Sequence, residues 1–331
     1  MTSNRGYTKS KIKIMNNIES KDITEQLKPS NEGETTTQES APTPTTKATG
    51  ASKFPAWFDL LAIMGIFLLA RFITSMIFIT MGWSMTLPEG FELMNSALQH
   101  AAEQEIGKSV LLATIIMQPT ILILVLIYRT LRRGKGGIVR LSLNGFNPTI
   151  ILWGVIMLLS LVVVMEPLMQ LFPQNEIPTG RGIYMVTALL VVAPLFEELL
   201  CRGVILESIR NKWGAWSACF VSALIFGVMH QTPQSVINAF IIGLLLGYIY
   251  LKTNSIFAPI ILHSVNNIFA YVLIIFGLSE TTIWDLTGGG VLYILIYGCG
   301  VAIMILSFIA MAHFLTTLRR AEKAKKMALQ K

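Results

Sequence analysis

The pattern of apolar and polar positions divides the chain at Phe54. Residues 1–53 are polar and low in complexity, and the stretch from Thr35 to Thr49 is rich in Thr, Pro, Ser and Ala. Such a segment buries too little surface to offset its chain entropy and is predicted to be disordered. No apolar core follows a short basic start, so it does not read as a cleavable signal peptide. Met15 is a second candidate initiator. Beyond Phe54 long apolar runs dominate. A helix needs about 20 mostly apolar residues to cross a hydrocarbon core of about 30 Å. Eight stretches are predicted to do so: 56–80, 109–128, 149–170, 183–207, 214–231, 235–251, 255–277 and 291–315. Most are too long and too uniformly apolar for strands, and barrel-type alternation is absent. The fold class expected is an all-α polytopic membrane protein with about eight transmembrane helices and an intramembrane polar cavity.

Composition sharpens this. The chain is 53% hydrophobic and 14% charged, with a mean hydropathy of +0.60. A soluble domain carries about 25% charged residues, so a typical cytosolic enzyme is excluded. The three Cys all lie in apolar runs and form no C-x-x-C pair, which excludes a disulfide scaffold.

Charge placement gives an orientation. Basic residues number eight in the leader, five in 129–148, two after span four (Arg210 and Lys212), one after span six (Lys252) and six after Leu318. The alternate loops hold only Lys108 and Arg181, beside Glu89, Glu92, Glu103, Glu105, Glu280 and Asp285. By the positive-inside rule both termini are predicted in the cytoplasm, as an even number of spans requires. The basic tail fits an anionic membrane surface better than nucleic acid. Four segments follow: a cytoplasmic leader, 1–53; two N-terminal spans with their loops, 54–148; a helical core, 149–277; and a last span with a basic tail, 278–331.

Ionisable groups inside spans cost about 2.5–3.5 kcal/mol each on insertion scales. Span four nevertheless carries Glu197, Glu198 and Arg202. Span five ends in Phe226-Gly227-Val228-Met229-His230, and span seven contains His263-Ser264-Val265-Asn266-Asn267. Glu198 and Arg202 stand at i, i+4 and are predicted to pair. Glu197 lies about 100° around the helix and needs a polar partner elsewhere. His263 and Asn267 again share a face. Spans five and six are short, and the polar link between them, Gln231 to Gln234, is expected to lie within the protein. Together these are parts for water activation: Glu197 as general base, one His positioning water or protonating the leaving amine, the other His and the Asn donating to an oxyanion. Counted along the helices, Glu197 and His263 fall in the cytoplasmic half, whereas His230 comes out about 24 Å from the start of span five, too deep unless that span is tilted or begins below the bilayer.

The three strings, Glu197-Glu198-x-x-x-Arg202, Phe226-x-x-x-His230 and His263-x-x-x-Asn267, occur in that order over roughly residues 150–275. They resemble the motifs of the CPBP family of intramembrane proteases, which includes CAAX prenyl endopeptidases and bacteriocin-processing, Abi-like proteins. The resemblance implies a peptide hydrolase acting on membrane-associated proteins or peptides, embedded in the bilayer, with no nucleic-acid partner. It implies catalytic roles for Glu197 (base), His230 (with it on the water), and His263 and Asn267 (oxyanion), with Glu198, Arg202 and Phe226 supporting the site. It also suggests a bacterial cytoplasmic membrane. A Zn²⁺ site from His230, His263 and Glu197 is the metal-dependent alternative. The sequence favours no metal, because H-E-x-x-H is absent and ligation would use up the one evident base. A non-catalytic immunity or maturation scaffold and a proton-coupled transporter are the competing functions. Cys201, beside the first motif, has no activating base at helical spacing and reads as a small buried residue.

Overall fold

A computed structural model describes residues 54–132, 147–172, 180–230, 232–279 and 281–329. The leader and most of the basic loop 129–148 lie outside those residues, as do the expectations attached to them. The described chain is helical and contains no strand. Its helices are α1 (Trp57–Met81), α2 (Ser96–Leu131), α3 (Pro148–Met169), α4 (Ile183–Trp213), α5 (Ala215–Val228), α6 (Pro233–Thr253), α7 (Phe257–Ile275), a short α8 (Ile283–Thr287) and α9 (Gly290–Leu329).

Seven of these are long and apolar enough to cross a membrane, not eight. The stretch expected as span five is α5, with only 14 residues. At 1.5 Å per residue it extends about 21 Å, short of the hydrocarbon thickness. Local sequence sets both of its ends. Gly214, at φ 86° and ψ 173°, breaks the chain from α4. At the other end Pro233 opens α6, which disfavours helix at the residue before it. Thr232 caps α6, its hydroxyl accepting from Ser235 N at 3.2 Å. Counting the short α5 as a leg, the long helices of the described chain still run in eight legs, because α5 and α6 form a hairpin.

Glycines let that hairpin close. A Cβ on Gly227 would lie 2.8 Å from the Val236 carbonyl oxygen, and one on Gly247 would lie 2.9 Å from Cys219 Sγ. The Gly243-x-x-x-Gly247 face of α6 thus meets α5 backbone to backbone, in the manner of small-residue contacts between membrane helices. Elsewhere α1 packs on α2, and α3 on α9. One apolar cluster joins α1, α2, α4, α5 and α6. A second joins α3, α6, α7 and α9.

The segregation of charge predicted from sequence is visible in the contacts. At one end, Arg132 Nε bonds Asp59 at 2.8 Å, Lys212 Nζ bonds the Pro55 carbonyl at 2.7 Å, and Arg210 bonds Asn254 Oδ1 at 2.9 Å. Arg319 of α9 bonds the Leu251 and Lys252 carbonyls at that same end. At the opposite end Arg181 Nε meets Glu103 at 3.0 Å. There Glu166 accepts from the Ile283 backbone N–H at 2.7 Å.

Candidate active site

Helix α4 carries the first motif, and it is not a uniform α-helix. Wider π-wound turns at Ala188–Val192 and Leu199–Leu206 flank an α-helical Ala193–Glu198. Such turns concentrate at functional sites. Pro194 explains where two backbone acceptors come free. The Ala193 N–H bonds the Ala188 carbonyl, five residues back. In that register the Leu189 carbonyl would take the N–H of residue 194, and in α register the Leu190 carbonyl would; proline has none. Helix α7 supplies both donors. Asn267 Nδ2 bonds Leu189 O at 3.0 Å, and Ser264 Oγ bonds Leu190 O at 2.7 Å. Part of the third motif therefore seats α7 against the proline-marked bend in α4.

The expected pair forms. Arg202 Nη1 bonds Glu198 Oε1 at 2.9 Å, and both side chains are fully buried. Arg202 Nη2 adds the Gly243 carbonyl at 3.1 Å, and its guanidinium stacks over the Phe226 ring at 4.7 Å. His263 Nδ1 reaches the same Glu198 Oε1 at 3.1 Å. A carboxylate oxygen only accepts, so Nδ1 is assigned a proton in this contact. Nε2 faces Glu197 Oε2 at 3.7 Å.

Glu197 finds its polar partner on a different helix. Gln118 of α2 donates from Nε2 to Glu197 Oε1 at 2.8 Å. Glu197 keeps 15% of its side chain exposed where Glu198 has none, so it is the carboxylate open to a reactant. His230 Nδ1 lies 2.9 Å from the Phe226 carbonyl. A carbonyl only accepts, so Nδ1 donates and Nε2 is left free to accept or to take a proton. Phe226 is edge-on to both imidazoles, to His230 at 5.1 Å and to His263 at 5.3 Å. His230 follows the end of the short α5, and its ring and that of His263 both pack against Phe226.

Gln118 was not singled out in the sequence. The available signal was a neutral polar residue next to Pro119 in an otherwise apolar span; a search confined to ionisable groups passes over it. Cys201 is fully buried, as expected of a small packing residue. Glu166 is spent on the start of α8. Among the described residues no three His, Cys, Asp or Glu side chains converge as metal ligands.

The described chain is thus a polytopic helical bundle with a buried Glu–Arg–His cluster beside one partly exposed glutamate. Residues 179–269 match the family model described as type II CAAX prenyl endopeptidase Rce1-like. All four residues expected to be catalytic fall inside the match; Gln118 falls outside it. The chain is 28% identical over 110 residues to an Escherichia coli "Uncharacterized 24.3 kDa protein", which covers 31% of this chain and 50% of that one. It is 26% identical over 83 residues to the "Putative membrane peptidase YdiL" of Bacillus subtilis, covering 25% and 34%. The matched region thus spans half or less of either relative. No solved structure gives a significant match. These findings support an intramembrane protease at the level of the family, and a multi-pass membrane protein.

Proposed function

We propose that the protein is an intramembrane endopeptidase that hydrolyses peptide bonds of membrane-associated proteins or peptides with water activated by Glu197. The observation that carries the reading is the setting of Glu197: an open carboxylate, one oxygen held by Gln118 and the other turned toward His263. Water bound between Glu197 and His230 Nε2 gives up a proton to Glu197 as its oxygen attacks the carbonyl carbon. Negative charge then develops on the carbonyl oxygen. Asn267, which spends one amide proton on Leu189 O, offers its other to that oxyanion, and His263 supports it when protonated. Collapse of the intermediate breaks the C–N bond, and the proton held by Glu197 passes to the leaving amine. Glu198 fixes the His263 ring, and Arg202 fixes Glu198.

The basic end of the bundle is assigned to the cytoplasm by the positive-inside rule, and a bacterial cytoplasmic membrane is the proposed location. To test the activity, full-length protein and the Glu197→Gln variant are incubated with solubilised membrane proteins, and new N-termini are read by mass spectrometry. Termini generated by the wild type alone are the expected result. None with the wild type, or the same set with both, would direct the reading to a scaffold or transport role.

A further inference from the structure

Away from the motif cluster, the basic end of the bundle holds a cavity of about 170 Å³ where α4, α5, α6 and α9 meet. A water takes up about 30 Å³ of liquid, so the cavity has room for a tetrahedral anion. Three cations line it: Arg210, Lys252 and Arg319. The carboxylate beside them is Glu207, which bonds Arg210 at 3.1 Å. Lys252 Nζ lies over the Tyr248 ring at 5.3 Å, a contact that leaves its three donors available. The C-terminus of α6 brings partial negative charge to the same place. Arg319 offsets it, because its guanidinium caps the carbonyls of Leu251 and Lys252.

The other wall is apolar and exposed. Trp216, in the first turn of α5, is 83% exposed and lines the cavity. Below it on the same face, at helical spacing, come the exposed side chains Phe220, Leu224 and Val228. A single apolar ridge four residues apart therefore runs from the cationic cavity down the exposed side of α5. A phosphate above an acyl chain matches this order of polar and apolar surface, with indole at the boundary.

We propose that this cavity binds the phosphate of an anionic phospholipid, with an acyl chain laid along Trp216, Phe220 and Leu224. The excess of cations over Glu207 favours a headgroup with net negative charge over a zwitterionic one. The site is independent of the proposed peptidase chemistry, so its test needs no cleavage. Full-length protein in nanodiscs of phosphatidylcholine is titrated with phosphatidylglycerol, and bound lipid is counted by native mass spectrometry. A basic contact at a membrane surface is worth about fivefold in affinity. Phosphatidylglycerol should therefore bind Lys252→Gln about fivefold more weakly than wild type, with phosphatidylcholine unchanged. Trp216→Ala, altered at an 83% exposed position, should also weaken it. Equal retention of phosphatidylglycerol by wild type and both variants overturns the proposal. So does inorganic phosphate that displaces the lipid completely while Trp216→Ala has no effect, because free phosphate would then be the ligand.

Discussion

Replacing Arg202 by Met tests whether the buried pair organises the site. The guanidinium has no exposed surface and makes three contacts: Glu198 Oε1 at 2.9 Å, the Gly243 carbonyl at 3.1 Å and the Phe226 ring. Methionine keeps the stem and much of the packing but removes the charge. Glu198 is then left buried with His263 Nδ1 as its remaining partner. The network has little slack, since Glu198 Oε2 and Arg202 Nε already lack partners among the described residues. Removing one member of a buried ion pair costs about 3–5 kcal/mol, most of it from the charge left behind. If that is the mechanism, Glu198→Gln should relieve it. The double variant should recover at least about 1 kcal/mol relative to the sum of the two single losses. Stability is measured by SDS titration of the full-length protein in mixed micelles, read by loss of helical circular dichroism. An Arg202→Met variant within about 0.5 kcal/mol of wild type would refute the reasoning. So would a double variant as unstable as the sum.

Gln118→Leu removes a charge-assisted hydrogen bond worth about 1.5–3 kcal/mol. If that bond holds Glu197 for reaction, cleavage should fall about 10- to 100-fold in kcat with little change in KM, as read in single-substrate kinetics. Ser264→Ala should cost about 1 kcal/mol of stability. It should cost less in a Pro194→Ala background, where a backbone N–H returns to serve the freed carbonyls; a thermal double-mutant cycle measures this. Gly227→Ala should destabilise by about 1–3 kcal/mol, because its Cβ would meet a carbonyl oxygen that cannot move aside. Gly298→Ala, with nothing within 4 Å, should leave thermal stability unchanged or raise it by up to about 1 kcal/mol.

The parts of this molecule set by local rules were legible in the sequence. Long apolar runs gave the spans, and i, i+4 spacing gave the Glu198–Arg202 pair and left Glu197 over. Among the described residues Arg132, Arg210, Lys212 and Arg319 gather at one end. Span five was overcounted because hydropathy runs on past the point where the helix stops: Met229 and His230 are outside α5, and Pro233 starts the next helix. Gln118 was missed because its meaning depends on a partner 79 positions away. Pro194 announced a bend, but its consequence did not show. The bend frees the Leu189 and Leu190 carbonyls, and the sequence does not reveal that Asn267 and Ser264 take them. Motif company grouped His230 with His263; that both rings pack on Phe226 became visible only in three dimensions.

The central claim is that Glu197 activates water to cut peptide bonds. It is tested most directly by comparing protein N-termini in cells that carry wild type or Glu197→Gln at matched membrane abundance. The account predicts a set of new termini in membrane-associated proteins that is present with wild type and lost in the variant. The same termini in both strains would contradict it.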